Sequence, residues 1–290
     1  MKIFDQFPGT SISSAEYHGT DAVSHSRLEV FRKRPRLYYK RFVAKTIPPA
    51  ESRAFDVGRA AHDFILEGQE AYMERVAVWT GGNKVKAKTE WALFQIANAG
   101  KAIITADEEN DVLHMAAAVA ASPEAMQLLD RNNGAPEMTW RVNSKALPIP
   151  LQCRTDWFCG QGCELSGGKP YVVDLKTTPS LDDAEYRNFQ KSFVDFGYHR
   201  QAGFYTALLR DLGIELSNFF FIAVEKQEPF GLDIYRAADS AVAQGLNETI
   251  TDLQNLTRAY ETDTWANRPG GVIEISCPDY YLKKQNMLVA

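Results

Sequence analysis

Asp174-Leu175-Lys176 closes the apolar run Tyr171-Val172-Val173, and Asp156 lies inside a second alternating run from Leu151 to Phe158. Side chains at i and i+2 of a strand share a face, so Asp174 and Lys176 project together while Leu175 points into the core. The Leu175 carbonyl oxygen is then left to meet a cation. Two strands that each offer an aspartate, with a lysine beside the second, match the needs of metal-dependent phosphodiester cleavage. A hard cation such as Mg²⁺ takes oxygen ligands and keeps several waters. The lysine can hold the attacking water or the scissile phosphate. Two carboxylates brought that close without a cation would raise one pKa sharply, so a metal is the natural third party. The triplet alone is common, and its plain alternative is a solvated strand end with a salt bridge.

The elements that must position these groups follow from the pattern. Strands are predicted over about Glu137–Val142, Pro150–Phe158 and Tyr171–Lys176, joined as an antiparallel meander with a turn-rich connection at 160–169. Two more strands are expected over Asn218–Glu225 and Gly231–Tyr235, and a short last one over Val272–Ser276. Helices are predicted from Ser24 or Ser26 to Pro35, from Pro35 to about Val43, over Ser52–Leu66, over Thr89–Ala99, near Asp195–Leu212 and over Ala237–Thr262. Thr105-Ala-Asp-Glu108 is a capping-box match that opens a helix to about Ala121, and Ser122-Pro123 caps the next. The expected fold class is α/β in the broad sense (α+β), a central mixed sheet with an antiparallel meander flanked by helices. One domain over 1–290 is expected, mainly helical over 1–135 and carrying the sheet core over 136–290.

Three further features join the aspartates. Gln201 and Tyr205 are spaced i,i+4 on a predicted helix and share one face. His62 ends the segment Val57 to His62, in which Gly58 implies a close approach by a neighbouring element or by nucleic acid. Arg154 stands two residues before Asp156, where it can orient that carboxylate, touch phosphate or form a structural ion pair. The ordered set Gly58-x-x-x-His62, Arg154-Thr155-Asp156, Asp174-Leu175-Lys176 and Gln201-x-x-x-Tyr205 resembles the PD-(D/E)XK nuclease superfamily. Within it, the set resembles the RecE-type 5′→3′ exonucleases of phage and prophage recombination. The segment from Val23 to Leu28 and on through Pro35-Arg-Leu-Tyr38 is also similar to that family, and the resemblance spans roughly residues 15 to 240. Thr155 stands where the superfamily's name has proline. The literal dipeptide Pro278-Asp279 has no acidic-x-lysine strand behind it and is set aside.

The resemblance implies that His62 joins Asp156, Asp174 and the Leu175 carbonyl around one or two Mg²⁺ or Mn²⁺ ions. An imidazole among carboxylates suits Mn²⁺ somewhat better than Mg²⁺. It implies that Glu137, ahead of the first meander strand, supports the metal or the water. It also implies that Gln201 and Tyr205 contact the DNA backbone or the metal-bound water. Lys176 would deprotonate or position that water. A 5′→3′ polarity, a ring-shaped homo-oligomer and a single-strand annealing partner follow from the resemblance alone.

Net charge is −5, which argues against a general polyanion binder. The charge is unevenly spread, however. Between Arg27 and Lys45 stand Arg27, Arg32, Lys33, Arg34, Arg36, Lys40, Arg41 and Lys45 against Glu29 alone. Arg27, Arg32, Lys33 and Arg34 are therefore candidates for phosphate contact, with a solvated helix face as the plain alternative. Cys153, Cys159, Cys163 and Cys277 include no C-x-x-C pair, and only Cys277 follows the Gln201 helix, so no iron–sulfur cluster or zinc site is expected. No apolar run reaches membrane-spanning length and the N-terminus lacks a signal-peptide pattern, so a cytoplasmic location is expected. The expected activity is resection of duplex DNA from an end. The alternatives are an endonuclease or single-strand nuclease of the same fold, or a catalytically silent DNA-binding subunit.

Overall fold

The computed structural model describes residues 8–48, 56–145, 147–181, 187–266, 272 and 274–277. Its first part runs β1 (Thr10–Ser11), α1 (Ser14–Gly19), α2 (His25–Lys33) and α3 (Pro35–Tyr38), which widens into a π-type turn to Val43. Then come α4 (Asp56–His62), a second π-type turn (Asp63–Glu67), α5 (Gln69–Arg75), β2 (Val76–Trp79), α6 (Lys88–Ala97), β3 (Ala102–Thr105), α7 (Ala106–Ala121) and α8 (Pro123–Leu128). The second part holds β4 (Gly134–Val142), β5 (Leu151–Cys159), β6 (Tyr171–Thr178), α9 (Arg187–Asp195), α10 (Tyr198–Asp211), β7 (Asn218–Glu225), β8 (Leu232–Arg236) and α11 (Asp239–Thr262).

Local chemistry sets several of these boundaries. The Ser24 hydroxyl accepts from the Arg27 amide at the start of α2, and Pro35 opens α3, where its missing N–H has no partner to lose. Thr105 and Glu108 close the predicted capping box at α7, and Ser122 caps α8 ahead of Pro123. The sheet order is β1-β4-β5-β6-β7-β8, with β6 and β7 parallel and every other neighbour antiparallel. The predicted meander is β4-β5-β6.

Some expectations are corrected. β2 and β3 form a separate two-stranded parallel sheet inside the region expected to be mainly helical. Each has only four residues, too few to show a period. α6 begins one residue before Thr89, with Ala87 rather than Thr89 at its N-cap. The helix expected near Asp195–Leu212 is α10, and a further helix, α9, precedes it, the two separated at Gly197 with φ 72°. Val272 and 274–277 are exposed and form no strand. The first part of the predicted 52–66 helix, and Pro278-Asp279, lie outside the described residues.

The sheet is covered on both faces. On one, α4 and α7 pack Ala60, Ala61, Val112 and Met115 against Trp157, Val173, Leu175 and Ile222. On the other, α10 lays Ala202, Phe204 and Leu208 over Phe158, Val172, Phe219 and Phe221. A third cluster joins α2 and α3 to α11 through Leu28, Phe31, Tyr38 and Leu256. α10 and α11 touch backbone to backbone: a Cβ on Gly245 would lie 1.9 Å from the His199 carbonyl oxygen, which fixes glycine there.

Candidate active site

The site lies where the meander ladder breaks. Pro136 pairs with Trp157 and Met138 with Thr155, so Glu137 and Asp156 stand opposite each other with no ladder contact between them. Trp157 pairs with Val173, the register that sets Asp156 opposite Asp174, and again the ladder stops there. Three carboxylates thus form one row across β4, β5 and β6. Glu137 has φ 53°, a left-handed conformation that costs a non-glycine residue about 1–3 kcal/mol. Strand alternation resets at this row. Ala135 and Met138 face the same cluster, as do Cys153 and Phe158, although a strict two-residue period would separate each pair. The kink opens a gap in the sheet, and Asp156 fills it by accepting the Leu175 amide at 2.9 Å through Oδ2.

His62, at the end of α4, reaches this gap. Its Nε2 lies 2.8 Å from the Leu175 carbonyl oxygen. A carbonyl only accepts, so Nε2 carries the proton, and in the neutral ring Nδ1 is bare. Nδ1 faces Asp156 Oδ2 at 3.6 Å. Among the described residues, His62, Glu137 and Asp156 form a group of three whose ligand atoms all lie within 4.8 Å of one another. The Leu175 carbonyl, expected to be free for a cation, has one of its two lone pairs committed to orienting His62.

Asp174 is on the α10 side and is 1% exposed. Gln201 Nε2 donates to its Oδ1 at 2.5 Å, and Oδ2 meets the Lys176 ammonium. Lys176 also donates to Gln201 Oε1 at 3.3 Å and lies 4.6 Å above the centre of the Tyr198 ring. Burial pushes the Lys176 amine down, but Asp174 and Asp156 outweigh it and hold it above the ordinary lysine range. Lys176 is therefore a cation at neutral pH, so of its two expected roles the arrangement fits positioning rather than proton abstraction. Burial, and then Asp156, raise the Asp174 carboxyl. The same two causes push Glu137 up to about 8, against the pull of Arg154.

The donors present fit a divalent cation. An imidazole nitrogen and carboxylates converge, and two of those carboxylates resist ionising together for want of a positive charge. His62, Glu137 and Asp156 would hold the ion, with Asp174 next along the row.

The other predicted residues fall elsewhere. Tyr205 is buried and packs edge-on against Phe219, one turn beyond Gln201 on the same helix. Arg154 is turned inward: it donates to Thr139 Oγ1 at 3.1 Å and the Ile12 carbonyl at 2.9 Å, and pairs with Glu137 at 3.5 Å. Arg27 donates to the carbonyls of Ala22 and His18 and stacks on Phe42. Arg32 and Lys33 both pair with Glu29, which also takes Arg200 at 2.7 Å. Arg34 is exposed, and with Lys33, Arg36 and Lys40 it lines a cleft of about 420 Å³ beside Ala266. At Gly58 an added Cβ would meet Thr177 Oγ1 at 3.4 Å, so β6 is the element that passes close there. Cys153 and Cys159 are free and buried. Tyr198 was not among the expected residues, though it lies three positions before Gln201 and so on the same helix face.

A family model described as a PDDEXK-like domain of unknown function (DUF3799) matches residues 24–276. The chain belongs to that family. No curated protein matches. The crystal structure of a candidate exonuclease from Eubacterium rectale superposes with a TM-score of 0.61 at 14% identity, covering 94% of this chain and 98% of that one. That likeness shows a shared fold. The crystal structure of SSO0001 covers 74% of this chain and 94% of its own at 14% identity, with a TM-score of 0.28 that carries no argument. Among the described residues no helix is long and apolar enough to cross a membrane.

Proposed function

We propose that this protein is a divalent-metal-dependent exodeoxyribonuclease that degrades duplex DNA from an end and leaves a single strand. The observation that carries the reading is the convergence of His62, Glu137 and Asp156 within 4.8 Å, one strand away from the Asp174–Lys176 pair. A bound Mg²⁺ or Mn²⁺ supplies Lewis acidity toward phosphate oxygens and water. The chain supplies the rest. Lys176, kept protonated, offers a donor to the attacking water or to a non-bridging phosphate oxygen. Gln201 fixes that amine and Asp174 together, and Tyr198 holds it from below. The fold shared with a candidate exonuclease supports end-dependent cleavage, and the RecE-like motif order supports 5′→3′ polarity. The same resemblance supports a ring-shaped homo-oligomer and a single-strand annealing partner. Incubated with Mg²⁺ or Mn²⁺, linear duplexes labelled at either 5′ or 3′ ends are expected to lose the 5′ label first, while covalently closed circles stay intact. Cutting of closed circles would make the protein an endonuclease of the same fold.

Phosphate binding belongs to the exposed part of the basic segment. Arg27 and Arg32 are engaged within the protein, whereas Arg34, Arg36 and Lys40 face the cleft. Neutralising Arg34, Arg36 and Lys40 together is expected to flatten the plot of log affinity against log salt by about 0.9 for each phosphate that the variant leaves unneutralised. An unchanged slope in the folded variant would make this a solvated face.

A further inference from the structure

α9 and α10 meet at Phe196-Gly197. Gly197 has φ 72°, and a Cβ on it would fall 2.4 Å from the Arg200 guanidinium, so any side chain in this turn would be strained. The turn is well held: the Phe196 amide donates to the Ser192 carbonyl at 2.9 Å and the Gly197 amide to Val194 at 3.1 Å. It nevertheless presents Phe196 to water, with 62% of the residue exposed. The ring is fixed on its inner side, where its centre lies 5.8 Å from that of Tyr198 at a 33° tilt. Tyr198 in turn lies 4.6 Å beneath the Lys176 amine. An aromatic path therefore runs from the catalytic lysine to solvent in two steps.

We propose that Phe196 is a stacking platform for an unpaired nucleobase near the scissile phosphate. The inference rests on the reading of the protein as a nuclease acting at duplex ends. Resection from an end parts the two strands beside the phosphate that is cut. The bases beside that phosphate are then unstacked. An exposed, backbone-anchored ring replaces the missing stack, and it does so for any sequence because every base has a π-face. The exposed apolar area here is Phe196 with Val194, flanked by the Lys191–Asp195 ion pair. Two side chains are few beside the roughly 20–30 residues a side of a stable protein interface.

The test uses the full chain with Ca²⁺ in place of Mg²⁺ and a duplex bearing a short single-stranded end, so that affinity is read without cleavage. F196A is expected to weaken binding about tenfold. F196W is expected to bind within about twofold of wild type, because its ring still stacks. F196L, which keeps an apolar side chain but has no π-face, is expected to behave like F196A. Wild-type affinity in F196A, or rescue by F196L, would overturn the proposal. So would a fall in the particle mass of F196A by light scattering, which would make the patch an interface between copies. If the wild type neither binds nor cuts DNA with any divalent cation, the parent reading fails and this one with it. If the wild type cuts and F196A binds equally well, only this one fails.

Discussion

On one side of the carboxylate row, Lys176, Gln201 and Tyr198 enclose Asp174 at 1% exposure. On the other, His62, Asp156 and Glu137 keep 29%, 16% and 26% of their side chains in reach of water. The enclosed side is complete: its buried charge has an ammonium and an amide against it. The open side is in conflict. Glu137 and Asp156 face each other across two strands, and burial, then Asp156, hold the Glu137 carboxyl well above the usual carboxylate range against the pull of Arg154. On the proposed function, one side places a fixed cation and the other receives a mobile one. Because they share the Asp156–Asp174 row, each charge added to one is felt by the other.

The two sides should therefore fail differently. Lys176→Ala removes the fixed cation and is expected to lower turnover by at least about 10²-fold, the range for a positioned proton-handling or donor group, while metal binding is retained. Steady-state and single-turnover kinetics on a linear duplex would show it. Near-normal turnover would reduce Lys176 to a structural partner of Asp174.

The open side should reveal itself through pH. Glu137 is raised from the ordinary glutamate range to about 8. The folded protein thus binds a proton that the unfolded chain has already released, and this contribution to stability is present below about pH 4.5 and disappears as pH rises toward 8. Asp174, also raised, acts in the same direction. In chelator, melting temperature is expected to fall by a few degrees between about pH 5 and pH 8. Glu137→Gln should flatten that dependence, and added Mg²⁺ or Mn²⁺ should do the same in the wild type by supplying the missing charge. A flat profile in chelator would mean that Glu137 and Asp156 do not interact as their positions require.

The enclosed side was largely legible in the sequence. Asp174 and Lys176 follow from a strand period, which is a local rule, whereas Gln201 came from likeness to a family. The open side was legible only in part. His62 and Glu137 came from likeness to a family, because nothing in the sequence announces that Glu137 adopts a left-handed φ or that β4 and β5 reset their alternation at that row. A two-residue period cannot anticipate its own interruption. For the same reason the role of the Leu175 carbonyl was incomplete: the strand pattern places it, but only the packing of α4 over β6 brings His62 to it. In the basic segment, charge counting found the cluster but could not separate Arg27 and Arg32, held by the protein, from Arg34 and Arg36. That distinction depends on Glu29 and on carbonyls brought near by folding.

The central claim is that His62, Glu137 and Asp156 receive the cation. Titration of the metal-free protein with Mn²⁺, read by the loss of the free-ion paramagnetic signal, tests it directly. The account predicts binding to the wild type, to Lys176→Ala and to Gln201→Ala, and at least about tenfold weaker binding to His62→Ala, Glu137→Gln and Asp156→Asn, as expected when a ligand is removed. Unchanged Mn²⁺ affinity in those three variants, in folded protein, would contradict it.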